Sequence, residues 1–270
     1  MTPEPGPPRS VDELEKENRR LTRRLQRLED NVRRLEEFQD SNSTLLSRLL
    51  EELEEERAKS DRLLLNVLPQ RIIDRLNAGE TLIADRHEAV SVLFSDIVGF
   101  TEISARLEPA VLIDELNRLF SGFDAICERT GVEKIKTVGD AYLVIGGLDG
   151  RAEHAAAVAD AALQMIEQVE AAAGLGADWR IRIGLHSGPA VAGVIGSTKF
   201  AYDVWGDTVN VAARLEAASE PNRIHVSETL AAQLGDGYRL APRGAVELKG
   251  KGLVQTSFLL GRLVKRDRPP

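Results

Sequence analysis

Two aspartates sit where carboxylates could act together, each beside an apolar, strand-like run. Asp96 closes the run in HEAVSVLFSDIVGF, and Asp140 follows a glycine in EKIKTVGDAYLV. If the first strand lies beside the hairpin formed by the second segment, both carboxylates meet at one sheet edge. Paired carboxylates there can share divalent cations. Gly139-Asp140 between two apolar runs is a two-residue hairpin signal of the I′ kind. Taken singly, Asp96 reads as a strand cap and Asp140 as a turn former, so the chemistry depends on their meeting. Directly after Asp96 come Ile97-Val98-Gly99-Phe100-Thr101 and a helical pattern. The glycine permits a tight turn, and backbone N–H groups that open a helix cradle anions. Carboxylates beside a cradle at Phe100 and Thr101 predict a metal–triphosphate site. Asn210 and Arg214 are four residues apart in a helical segment and share one face, while Val211 and Leu215 take another. Without a context such a pair is ordinary surface.

The elements that must position these residues follow from periodicity. The segment from about residue 87 reads as a buried strand, 101–130 as helix, 132–138 and 141–147 as two strands, and 151–173 as an Ala-rich helix. RIRIGLHSG (180–188) alternates like a strand, 206–218 is helical, and 222–260 holds short strands with a small helix near 227–234. Strands separated by helices, with one tight hairpin, predict an α/β sandwich with a mixed sheet covered mainly on one face.

The first part of the chain differs in kind. Residues 9–68 contain neither Gly nor Pro, and 27 of the 56 positions in 11–66 are charged. Periodicity decides between disorder and a long helix. With Leu14, Leu21, Leu28, Leu35, Asn42, Leu49, Glu56 and Leu63 at d, the a positions are Asn18, Leu25, Val32, Gln39, Leu46, Leu53, Ser60 and Val67. Eleven of these sixteen are apolar in one unbroken register. That is the seam of a coiled coil. Ser10 with Glu13 forms a capping-box signature at its start. Opposite charges at g and the following e, Arg24 to Glu29 and Glu52 to Arg57, suit a parallel dimer. The polar layers Gln39/Asn42 and Glu56/Ser60 interrupt the seam. Pro69 and Gly79 bracket a second short amphipathic segment with Leu68, Ile72, Ile73 and Leu76 as its stripe. The expected organisation is a disordered 1–10, a coiled-coil helix over 11–67, a connecting helix and linker over 68–86, a catalytic domain over 87–262 and a tail over 263–270.

Composition narrows the function. A net charge of −8 and an isoelectric point near 5.2 argue against unspecific nucleic-acid binding, which needs a cationic surface. A single cysteine, Cys127, rules out an internal disulfide and a cysteine-cluster zinc site, and its neighbours place it on an apolar helix face. His87, His154, His186 and His225 lack metal-ligand spacing. No apolar run reaches the roughly 18 residues of a membrane span, and MTPEPGPPRS does not resemble a signal peptide. A cytoplasmic location is expected, a longer membrane-anchored parent with an upstream sensor being left open.

The motifs FSDIVGFT (94–101), EKIKTVGDAYLV (133–144), RIGLHSG (182–188), YDVWGDTVNVAARLE (202–216) and LKGKG (248–252) occur in an order that resembles the class III nucleotidyl cyclases. The resemblance implies an α+β fold, a ferredoxin-like cyclase core behind a long parallel coiled-coil helix. It implies two divalent cations per active site, Mg²⁺ or Mn²⁺, held by Asp96, Asp140 and the Ile97 carbonyl. It further implies that Lys136 and Asp203 select the base and that Asn210 orients the ribose or the reacting groups. Arg214 would bind the α-phosphate, and Lys249, rather than Lys251, the triphosphate. Base chemistry sharpens this: adenine presents an acceptor at N1 and an amino donor at position 6, which a lysine and an aspartate match. Guanine presents the reverse pattern, and the guanylate cyclase residues, Glu and Cys, are absent at these positions. The expected activity is therefore ATP to 3′,5′-cyclic AMP and pyrophosphate, with guanylate cyclase or an inactive nucleotide-binding dimerisation module as alternatives. The family's sites lie between two head-to-tail catalytic domains, so a homodimer is the implied partner state. The diguanylate cyclase signature is absent, since Gly139-Asp140-Ala141-Tyr142 occupies the hairpin.

Overall fold

The computed structural model describes residues 10–65, 68–172, 179–196 and 199–263, without the side chains of residues 13 and 60–65. The chain divides into two compact units, Met1–Val67 and Leu68–Pro270.

In the first unit, one helix, α1 (Val11–Leu65), runs without interruption. It begins directly after Ser10, whose carbonyl accepts from the Leu14 N–H at 3.1 Å. Its exposed face is laced by local pairs such as Arg19–Glu15 and Arg48–Glu52, each worth a few tenths of a kcal/mol. The described seam leucines are open to solvent within the chain: Leu25 is 59% exposed and Leu53 65%. The side chains of Glu13, Ser60, Leu63 and Val67, used above for cap and seam, lie outside the described residues, as do residues 1–9 and 264–270.

The second unit opens with α2 (Gln70–Asn77), whose Ile72 and Ile73 are buried. Then follow β1 (Ala84–Ile97), α3 (Phe100–Ser104), α4 (Pro109–Thr130), β2 (Glu133–Val138), β3 (Ala141–Gly146), α5 (His154–Ala172) and β4 (Ile181–Ile195). After these come β5 (Ala201–Trp205), α6 (Asp207–Ala217), β6 (Arg223–Ser227), α7 (Glu228–Leu234), β7 (Tyr238–Leu248) and β8 (Gly252–Arg262). The sheet order is β2-β3-β1-β4-β6-β8-β7, with β5 paired to β4 off this path. β1 is antiparallel to both β3 and β4, and β4 is parallel to β6. The leading β1-helix-β2-β3-helix-β4 set is the ferredoxin-like arrangement, and the parallel β4–β6 pair makes the sheet mixed.

Three expectations change. The helix expected over 101–130 is two helices, because Pro109 cannot continue a helix and instead opens α4. The sheet is covered on both faces. Leu93, Tyr142, Val144, Ile183 and Leu185 pack with α4, α5 and α7, while Val92, Leu143, Ile145 and Ala192 pack with α2. On α6, Ala212 faces that second cluster, and β1 is buried through Val90–Leu93 because both its faces are occupied. The Gly139-Asp140 turn has positive φ at Gly139 alone, +63°, among its two residues. That is the II′ pattern rather than I′, which would also force Asp140 into the left-handed region.

α6 sits unusually close to the sheet. A Cβ on Gly184 of β4 would lie 2.2 Å from the Ala212 carbonyl oxygen. Only a glycine permits that approach, so RIGLHSG fixes the seat of the helix bearing Asn210 and Arg214.

Candidate active site

Asp96 lies at the end of β1 and Asp140 in the turn before β3, and pairing of β1 with β3 brings their carboxyl groups near enough for Asp96 to act on Asp140. Partial burial pushes the Asp140 carboxyl up to about 6, and the hydrogen bond and negative charge of Asp96 push in the same direction. Bonds from the backbone N–H groups of Asp140 and Ile97 act oppositely. Asp96 accepts from Arg182 Nη2 at 3.0 Å, and Arg182 Nε donates to Glu216 Oε1 at 2.9 Å. Glu216 is 5% exposed, and burial raises its carboxyl to about 7 against the opposing pull of Arg182. Sequence reasoning missed Arg182 and Glu216, although both lie inside quoted motifs. Their meeting depends on α6 crossing β4, which spacing alone does not reveal.

Two neighbouring acids, one of them held back from ionising, form a donor set that gains from a cation. Its ligands would all be oxygens, two carboxylates and the Ile97 carbonyl, which suits hard ions such as Mg²⁺ or Mn²⁺. Among the described residues no group of three or more His, Cys, Asp or Glu side chains could hold a metal ion. His154 bonds Ser91, and His186 bonds Ser227, both at 2.8 Å through Nδ1.

A second constellation lies across β2 and β5. Lys136 Nζ is bonded to Asp203 Oδ2, and Asp203 Oδ1 accepts from the Val204 N–H at 2.8 Å. The two strands are not ladder neighbours, so side chains and α2 determine how they meet. A register shift in β2 between Lys134 and Lys136 governs the direction of Lys136. In a regular strand, residues three apart face opposite ways. The bulge lets Glu133 and Lys136 reach the α2 and β5 side together, while Lys134 bonds Asp124 of α4.

The third constellation follows α6. Asn210 is exposed and Arg214 half-buried, whereas Val211 and Leu215 are buried against Leu248. Gly250, in the turn between β7 and β8, comes within contact distance of Arg214: a Cβ there would lie 3.8 Å from Nη1. In the same turn Lys251 pairs with Asp207 at 2.5 Å, and Lys249 is exposed. The Phe100 side chain packs against the core, and Glu102 and Ile103 donate to the Gly99 carbonyl. The Phe100 and Thr101 N–H groups at the start of α3 have no helical acceptor.

The family described as "Adenylate and Guanylate cyclase catalytic domain" matches residues 82–261. An adenylate cyclase of Mycobacterium bovis is 44% identical over 221 residues, covering 80% of this chain and 49% of that protein. Retinal guanylyl cyclase 2 of Bos taurus is 42% identical over 243 residues, 87% of this chain and 22% of that protein. The solved guanylate cyclase domain of RhGC from Catenaria anguillulae, in complex with GTP, superposes with a TM-score of 0.64 at 38% identity. It covers 66% of this chain and 100% of that one. This chain belongs to the class III nucleotidyl cyclases, and its second unit carries their catalytic fold. It spans about half the length of the mycobacterial relative and about a fifth of the retinal one.

Proposed function

We propose that this cyclase acts on ATP, forming 3′,5′-cyclic AMP and pyrophosphate. The observation that carries the reading is the Lys136–Asp203 pair. It sets a donor and an acceptor side by side, as the N1 and amino edge of adenine require. Guanine would meet a donor with a donor and an acceptor with an acceptor. Mispairing in a partly buried site costs on the order of 1–3 kcal/mol per group.

In the reaction the ribose 3′-oxygen bonds to the α-phosphorus and the bond to the pyrophosphate oxygen breaks. Asp96, Asp140 and the Ile97 carbonyl would hold two divalent cations. When bound, these acidify the 3′-hydroxyl and neutralise polyphosphate charge. Arg214 offsets charge accumulating on the α-phosphate, Asn210 orients the ribose, and Lys249 with the Phe100 and Thr101 N–H groups takes the outer phosphates. Among the described residues no hydrogen bond or ion pair joins Asp96 or Asp140 to Lys136, Asp203, Asn210 or Arg214. That fits a site completed across two head-to-tail catalytic domains. The functional unit is then a homodimer, with the α1 seam as a parallel coiled coil.

The test is the ratio of kcat/KM for ATP to that for GTP in the parent and in Lys136→Glu/Asp203→Cys. The parent is expected to favour ATP, and the double variant to move toward GTP. A parent that favours GTP, or a ratio untouched by the double substitution, overturns the assignment.

A further inference from the structure

We propose that Arg71 is a positioning residue for base selection, fixing the strands that carry Lys136 and Asp203. It stands on α2, outside the nucleotide-facing residues named above, and touches both strands at once. Its Nη2 donates to Glu133 Oε1 of β2 at 3.0 Å and to the Tyr202 hydroxyl of β5 at 2.6 Å. Nη1 completes a two-pronged grip on the Glu133 carboxylate. The guanidinium also lies 5.6 Å from the Tyr202 ring centroid.

Each anchor lies close in sequence to a base-contacting residue. Tyr202 immediately precedes Asp203, and Glu133 is three residues before Lys136 on the same side of the bulged strand. β2 is the terminal strand of the sheet and β5 branches from β4, so no backbone ladder sets their separation. Side chains do so instead: the Lys136–Asp203 bond itself, and behind it the planar, charged fork of Arg71. Bidentate Arg–carboxylate pairs are geometrically demanding, and partial burial shields this one from solvent. Tyr202 is otherwise buried with Val204, Ile72 and Ile73, so the grip joins a packed wall to an edge strand.

Discrimination between two bases depends on donor and acceptor placement to within about half an ångström. Releasing the fork lets β2 drift from β5, and Lys136 then no longer meets the base at the angle that excludes guanine. The grip also gives the short helix after the coil a direct hold on substrate choice, not on turnover in general.

The proposal rests on Lys136 and Asp203 as base readers, so the experiment separates the two ideas. The ratio of kcat/KM for ATP to GTP is measured for Arg71→Met, Arg71→Lys, Glu133→Gln, Tyr202→Phe and Lys136→Glu/Asp203→Cys. Binding of a non-cyclisable ATP analogue and thermal midpoints are recorded alongside. Arg75→Met is the control: Arg75 ties the same helix to Glu80 and to Asp85 of β1, and touches neither β2 nor β5.

Arg71→Met is expected to lower the ratio about five- to tenfold, with KM for ATP rising more than kcat falls. Arg71→Lys and Tyr202→Phe, each keeping one arm, should fall between it and the parent. Glu133→Gln should add little when combined with Arg71→Met, because both remove the same contact. If Arg71→Met proves too unstable, Glu133→Gln and Tyr202→Phe carry the same test. An unchanged ratio in the grip variants, while the Lys136/Asp203 variant shifts, overturns the positioning role and leaves base reading intact. Equal shifts in Arg75→Met also overturn it, since loosening α2 would then suffice. A silent Lys136/Asp203 variant overturns base reading and the positioning role together.

Discussion

The two units of this chain are stabilised in opposite ways. In α1 Val32 and the described leucines of the seam are open to solvent within the chain, and local ion pairs lace the helix. In the catalytic unit Val92, Val144, Ile183 and Leu185 are fully enclosed, and contacts join residues far apart in sequence. Isolated helices draw little stability from local pairs, and most helical stability in proteins comes from packing an apolar face. On the proposed reading, the seam of α1 is covered by a second chain, whereas the sheet unit packs its core with its own helices. One unit would then serve association and the other chemistry.

The sharpest break between them comes from the carboxylates. Asp96→Ala or Asp140→Ala should lower turnover at least about a hundredfold while the fold persists, because these groups serve charge chemistry and not the core. Circular dichroism and product formation at ordinary metal concentrations check this, and unaltered turnover in either variant removes the cation assignment. Mixing Asp96→Ala chains with Asn210→Ala chains should restore about a quarter of parental activity. Half of randomly assorted dimers are mixed, and each has one complete site of two. If subunits demonstrably exchange and nothing returns, the shared-site arrangement is wrong.

A smaller effect, and one visible only on dilution, is expected from the coil. α1 is a 55-residue helix, roughly 80 Å long at about 1.5 Å per residue. Deleting residues 1–66 should weaken dimerisation and lower specific activity about tenfold at nanomolar enzyme, with little loss at high concentration. Inserting three or four residues near Ser60 should alter activity without dissociating the dimer, since it rotates one unit's approach to the other. Sedimentation and activity against concentration distinguish these cases. Equal mass and equal activity at nanomolar concentration would make the coil a passive appendage.

Local rules made much of this legible. The heptad register outlines α1, and the Gly139-Asp140 dipeptide marks the turn that presents Asp140. Five ordered motifs carry the family, and the seat of α6 is written in Gly184. Pro109 was a readable signal for splitting the 101–130 helix, because it stands at the first position of α4. What escaped were partnerships made by tertiary crossings. Arg182 meets Glu216 only because α6 lies on β4, and Arg71 meets Tyr202 across 131 residues. The β2 bulge was also hidden, since EKIKTV alternates without a glycine or proline to announce it. The second covered face of the sheet depended on where two amphipathic helices land, which their stripes alone do not say.

The least disruptive test concerns acid, to which the two units should respond differently. α1 contains no histidine, while His225 of β6 is fully enclosed in the catalytic unit. Its Nδ1–H donates to the Leu215 carbonyl at 2.8 Å, and Arg243 Nη1 lies 3.3 Å from Nε2. Burial pushes the imidazole down to about 4, and the Arg243 charge adds to this, against opposing effects of the Leu215 bond and Glu220. The folded value is depressed below the unfolded value of about 6.5. Between these values the unfolded chain binds more protons, so the stabilisation is complete above about pH 6.5 and fades as pH falls toward 4. Lowering pH from 7.5 to 5 should therefore remove a His225 contribution of about a few degrees to the thermal midpoint. The raised carboxyls of Asp140 and Glu216 act in the opposite direction, so the contribution is read as the difference between parent and variant. In His225→Asn an amide can donate to Leu215 without titrating, and that part of the pH dependence should disappear. Both tryptophans, Trp179 and Trp205, lie in the catalytic unit, so their fluorescence follows that unit without contribution from α1. Parallel midpoint curves for parent and variant would show that His225 does not carry the acid response. A transition that moves by fluorescence while a helix signal from α1 persists would show that the two units unfold by separate rules.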